Sequence, residues 1–138
     1  MRGRLGGILT LLALVAVSIA LYLSAVKLTG GAPACALISG CETVNSSEYS
    51  TFLGIPVAIL GLGAAATILA GAVLWWRRAD TRGLYLAYAI GLVSLPLLAW
   101  FTYLEVAVIH AICVWCVTYA LVIVSGWAAA AVALRSVR

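Results

Sequence analysis

The sequence predicts an all-α membrane protein, a bundle of four transmembrane helices with an outer, periplasmic cysteine loop and a short cap helix. Three observations predict it: the composition, four long apolar runs, and arginines gathered at one side. Of 138 residues, 66% are hydrophobic and 9% charged. A soluble globule of this size keeps too much of its chain at the water boundary to hide so much apolar surface. The bilayer is the solvent that fits. No polar linker divides the chain, so residues 1–138 read as one membrane domain.

The apolar runs cover about 5–26, 54–76, 84–104 and 109–134. Each reaches the ~20 residues that a helix rising ~1.5 Å per residue needs to cross a ~30 Å hydrocarbon layer. In lipid the backbone amides must bond within their own segment, so these runs are helices. The first run could instead be a cleavable leader, since "GAPACA" offers small residues after it. Its length exceeds the ~7–15-residue apolar core of a signal peptide and favours a retained helix. Pro56 suits the start of the second helix. Pro96 lies inside the third and predicts a kink, whose freed backbone groups neighbouring helices satisfy.

The net charge is +4, with seven Arg against a single Lys. In a soluble protein that balance suggests nucleic acid; here the charges flank apolar runs and read as topology signals, with no nucleic-acid partner. If the helices alternate, Arg2, Arg4, Arg77, Arg78, Arg82, Arg135 and Arg138 share one side and Lys27 the other. The positive-inside rule then puts both termini in the cytoplasm and the loop 27–53 outside. Arg and Ala usage hints at a bacterium, hence its inner membrane. Trp75, Trp76 and Tyr85 would form an aromatic belt on the inner face, with Tyr22, Trp100 and Tyr103 toward the outer one. Glu105 is expected in a short outer connection, within reach of water. With no ionisable residue deep in a span, a proton-coupled transporter is disfavoured.

The loop opens irregularly, with Gly30, Gly31, Pro33 and Gly40. Asn45 then offers an N-cap and Glu48 completes a capping box, with Ser46 and Ser47 as alternative caps. Tyr49, Phe52 and Leu53 would share one face of a short amphipathic helix lying across the bundle. That helix either closes a cavity below it or rests among lipid headgroups.

All four cysteines fall on the outer, oxidising side, where disulfides form and persist. Cys35 and Cys41 sit in the loop; Cys113 and Cys116 form a C-x-x-C pair in the first turns of the fourth helix. Residues three apart on a helix are neighbours. At a helix N-terminus the unpaired amides favour a thiolate, the attacking species in disulfide exchange. Packed cysteines are the plain alternative. A four-cysteine zinc site fits less well, because one pair has five intervening residues and the other enters lipid. No metal is expected. Of the three possible pairings, Cys35 with Cys41 and Cys113 with Cys116 are the local ones. Cys41 could also reach Cys113 if the loop folds over the bundle, and electrons entering an apolar bundle suggest a lipid-soluble acceptor, a quinone.

The run "CETVNSSEYSTFLGIPV" followed by "CVWC" in the last helix resembles the vitamin K epoxide reductase family, in its bacterial form. The likeness extends over nearly the whole chain: four helices, an outer cysteine loop, a serine before the second helix and the terminal C-x-x-C. It implies a four-helix bundle around a quinone, capped by a loop helix. Cys35 and Cys41 would then be the shuttle pair, Cys35 meeting the partner and Cys41 passing electrons to Cys113, with the Cys116 thiolate facing the quinone ring. Ser47 matches the loop region expected to hydrogen-bond a quinone carbonyl, with Asn45, Ser46 and Ser50 competing for that role and Tyr49 nearby.

Some members carry a fused thioredoxin-like domain; none follows in these residues, so the dithiol partner is expected to be a separate DsbA-like or thioredoxin-like protein. The activity implied is a membrane thiol oxidase that reoxidises that partner and passes two electrons to ubiquinone or menaquinone. A quinone or quinone-epoxide reductase driven by a dithiol is the nearest rival. A small four-helix transporter or structural module is the rival from another class. His110, one turn before Cys113, either assists proton transfer or faces the headgroups.

Overall fold

Nothing in the first apolar run stops a helix, and α1 extends over Arg2–Thr29. The computed structural model describes residues 2–29, 51–52, 55–109 and 114–137. After α1 the next described residues form a small antiparallel hairpin, β1 (Thr51–Phe52) against β2 (Ile55–Pro56), with Phe52 opposite Ile55. This corrects one expectation, because Phe52 belongs to a strand and not to an amphipathic helix. The local chemistry explains it: Thr51, Phe52 and Ile55 favour extended backbone, Gly54 weakens a helix, and Pro56 disfavours helical geometry at the residue before it.

Helix α2 (Val57–Arg78) starts directly after Pro56, and Arg77 and Arg78 occupy its last turn, where cations complement the exposed carbonyls. Ala79 then adopts the left-handed conformation at φ 56°, and its N–H donates to the Trp75 carbonyl at 2.9 Å. This is the single-bond left-handed stop, made by Ala where Gly is usual. Asp80 follows as the N-cap of α3 (Thr81–Tyr103), its carboxylate accepting the Arg82 amide at 3.0 Å. Two residues therefore turn the chain through an antiparallel helical hairpin.

Helix α3 carries Pro96 within it and continues to Tyr103, where the winding loosens into a π-helical segment over Leu104–Ile109. The connection expected around Glu105 is thus still helical. Helix α4 (Val114–Val137) completes the bundle. All four helices are long and apolar enough to cross a membrane, which makes this a multi-pass membrane protein.

The helices close into a ring, α1 against α2, α2 against α3, α3 against α4 and α4 back against α1. Lipid tails are as apolar as leucine, so the contacts rest on close packing by small residues. Gly71 of α2 and Gly83 of α3 meet backbone to backbone, and a Cβ at Gly71 would collide with the Gly83 carbonyl oxygen. A Cβ at Gly6 would lie 2.6 Å from Trp76 Cδ1, so that ring covers the α1 backbone. The core is dominated by alanine with a few large anchors: Leu9, Ala13, Ala16, Ala65, Ile68, Ala72, Trp75 and Leu84 are buried. Trp75 is 2% exposed and therefore a core residue, correcting its place in the belt; Trp76 and Tyr85 do lie at the surface. Leucines and valines such as Leu11, Val93 and Leu121 face outward, as lipid contact requires.

Candidate functional site

The described arginines Arg4, Arg77, Arg78, Arg82 and Arg135 are exposed and lie near helix termini at one end of the bundle. Cys116 lies at the other. It is the third residue of α4 and half-buried. The first four amides of a helix have no partner within it, so the sulfur is carried in the turn whose amides and dipole suit negative charge. Val114 and Trp115 precede it, and Trp115 packs its ring on Tyr22 of α1 with centroids 5.0 Å apart. That contact fixes the level of α1 that faces the first turn of α4.

Tyr119 follows Cys116 by three residues and so falls on the same side of α4. Its hydroxyl reaches α2, donating to the Gly61 carbonyl at 2.7 Å. Helices α2 and α4 are diagonal in the ring, so Tyr119 spans its interior. Gly61 makes the room, since a Cβ there would meet the Tyr119 hydroxyl at 3.2 Å.

Other polar groups at this end are buried. Glu105 is 5% exposed, which corrects the expectation that its charge reaches water. It lies in the π-helical segment, and such segments often mark functional positions. Ser24 of α1 is 3% exposed, and its hydroxyl has no hydrogen-bond partner. Between α3 and α4 an apolar cavity of about 570 Å³ opens laterally, lined by Leu98, Ala99, Thr102, Tyr103, Ala120 and Leu121 among others. Tyr103 is stacked on Trp100 beside it, with centroids 5.8 Å apart.

Of the residues singled out from the sequence, Cys116 is in place at the N-terminal turn of α4. Cys35, Cys41, Asn45, Ser46, Ser47, Tyr49, Ser50, His110 and Cys113 lie outside the described residues. Sequence reasoning missed Tyr119 and Ser24. The signal for Tyr119 was its spacing of three from Cys116. For Ser24 it was the run Leu9, Ala13, Ala16, Ala20, Ser24, which recurs at helical spacing and is buried throughout.

A dithiol-motif cysteine in a helix's first turn, buried polar groups at the same end of the bundle and a lateral apolar cavity together suit redox chemistry with a hydrophobic reactant. Residues 7–131, nearly the whole chain, match the vitamin K epoxide reductase family, and the chain belongs to that family of membrane oxidoreductases.

Proposed function

We propose that the protein is a thiol oxidase that takes two electrons from an exported DsbA-like or thioredoxin-like dithiol protein and passes them to a quinone. The observation that carries this reading is Cys116, half-buried in the first turn of α4 at the end of an apolar bundle. The residues present suit a quinone: the cavity between α3 and α4 is apolar and open toward lipid, and polar groups wait inside the bundle end. Ubiquinone and menaquinone both meet that description. Asn45, Ser47 and Tyr49 are the loop residues proposed to face it, alongside Cys116.

In this reading the partner's thiolate attacks the Cys35–Cys41 disulfide at Cys35, releasing Cys41 as a thiolate. Cys41 attacks Cys113 of the second disulfide and releases Cys116. The partner's second thiol then resolves its bridge to Cys35, leaving as a disulfide, and Cys35 resolves the Cys41–Cys113 bridge. Each exchange makes one S–S bond and breaks one. The net result moves two electrons and two protons from the partner dithiol into the Cys113–Cys116 pair. The quinone supplies the oxidising drive and leaves as the hydroquinone. The protein contributes proximity, making successive exchanges intramolecular.

The arginine-rich end is proposed to be cytoplasmic, in an inner membrane, with the cysteine end on the outer, disulfide-permissive side. Quinone reduction by purified protein supplied with a reduced DsbA-like partner, compared with Cys116→Ala, tests the reading. Turnover that vanishes in the variant supports it. An inactive wild type with both ubiquinone and menaquinone would remove its centre.

A further inference from the structure

We infer that Ser24 is a quinone-binding residue, its hydroxyl donating a hydrogen bond to a carbonyl of the quinone ring from the α1 side of the bundle; the inference rests on the oxidase reading above. The first observation is that this hydroxyl is unsatisfied. Helical hydroxyls in this protein normally bond back to the carbonyl four residues earlier: Ser18 to Leu14, Thr67 to Gly63, Ser94 to Ile90, Thr118 to Val114 and Ser125 to Leu121, all at 2.8–2.9 Å. The Ser24 hydroxyl has no such bond, although the residue is only 3% exposed. A buried polar group without a partner costs free energy and calls for a reason.

Position supplies the reason. Leu9, Ala13, Ala16 and Ala20 form the buried stripe of α1, and Ser24 is its next member toward the cysteine end. Tyr22, two residues earlier and so on the opposite side of the helix, is the residue packed on Trp115. Ser24 therefore stands at about the height of the first turn of α4, on the side of α1 turned away from the Tyr22–Trp115 contact, where the buried apolar stripe changes to a hydrogen-bond donor. A quinone ring is apolar on its faces and carries acceptors at its carbonyls, which is the ligand this combination suits. The hydroxyl is shielded from bulk water.

Thr10 provides the comparison. Its hydroxyl is also buried and unpartnered, but it lies 14 positions back along α1, about 21 Å by helical rise and far from Cys116. The experiment measures equilibrium binding of decylubiquinone and of menadione to the full chain by tryptophan fluorescence, together with the thermal midpoint without quinone. Ser24→Ala and Thr10→Val are both expected to raise that midpoint, since each removes an unsatisfied hydroxyl. Only Ser24→Ala is expected to weaken quinone binding, by about 3- to 10-fold, the range of one neutral hydrogen bond. Wild-type binding with unchanged affinity in Ser24→Ala overturns the assignment and leaves the oxidase reading standing. A wild type that binds neither quinone overturns both.

Discussion

The Tyr119 hydroxyl donates to the Gly61 carbonyl at 2.7 Å, tying α4 to its diagonal partner α2 across the middle of the ring. Because Tyr119 stands one helical turn from Cys116, this bond anchors the helix that carries the sulfur. Tyr119→Phe is expected to cost about 0.5–1.5 kcal/mol. Gly61→Ala should cost a similar amount by pushing on the same hydroxyl. The two changes share one contact, so the double variant should lose less than the sum. Denaturation of the three variants in detergent measures this; strict additivity would mean that the bond is not the shared element.

The Gly71–Gly83 contact has no slack. Gly71→Val places a branched side chain against the Gly83 backbone and should destabilise the hairpin of α2 and α3 by about 1–3 kcal/mol or more, the usual cost of overpacking. Gly63, whose added Cβ would meet nothing within 4 Å, is the control. Gly63→Ala should leave the thermal midpoint unchanged or slightly raised.

The turn between α2 and α3 offers changes of opposite sign. Ala79 holds a left-handed conformation that costs an L-residue about 1–2 kcal/mol, so Ala79→Gly should stabilise the protein by part of that amount. Asp80→Ala removes the cap on the Arg82 amide and should destabilise by about 1 kcal/mol, whereas Asp80→Asn should keep most of the effect. Thermal midpoints of the variants decide the signs.

Ala120 lines the lateral cavity between α3 and α4. Under the oxidase reading, Ala120→Phe should raise the quinone KM severalfold while partner-thiol exchange in the absence of quinone proceeds at the wild-type rate. Loss of both activities together would point to a damaged fold, and loss of neither would separate the cavity from the quinone path.

The four spans were readable because length and apolarity are properties of the chain alone, and lipid leaves the backbone almost no other choice. Their ends were less so. Helix α1 continues beyond the apolar run into Thr29, and α2 keeps Arg77 and Arg78 within its last turn, because polar residues extend a helix as readily as they end a hydrophobic stretch. Trp75 and Trp76 are adjacent tryptophans near a membrane face; only their angular positions on α2 send one into the core and leave the other over Gly6. Phe52 went to a strand because Gly54 and Pro56 outweighed the helical spacing before them. Glu105 was misplaced for a different reason: the chain does not leave the helix there but continues through a π-helical segment, which no single residue type announces. The Cys116 position was legible from its motif, whereas Ser24 and Tyr119 acquire meaning only when the helices are brought together.

The two-residue link between α2 and α3 also bears on how the protein is made. A pair of apolar helices joined this tightly, with glycine contacts close to the bend, can be threaded into a bilayer as a single doubled-over unit. The arginines on either side of the link, Arg77, Arg78 and Arg82, resist crossing, and under the proposed orientation they would hold the bend on the side where the ribosome works. If the pair does enter as one unit, lengthening that link should separate its entry into two events.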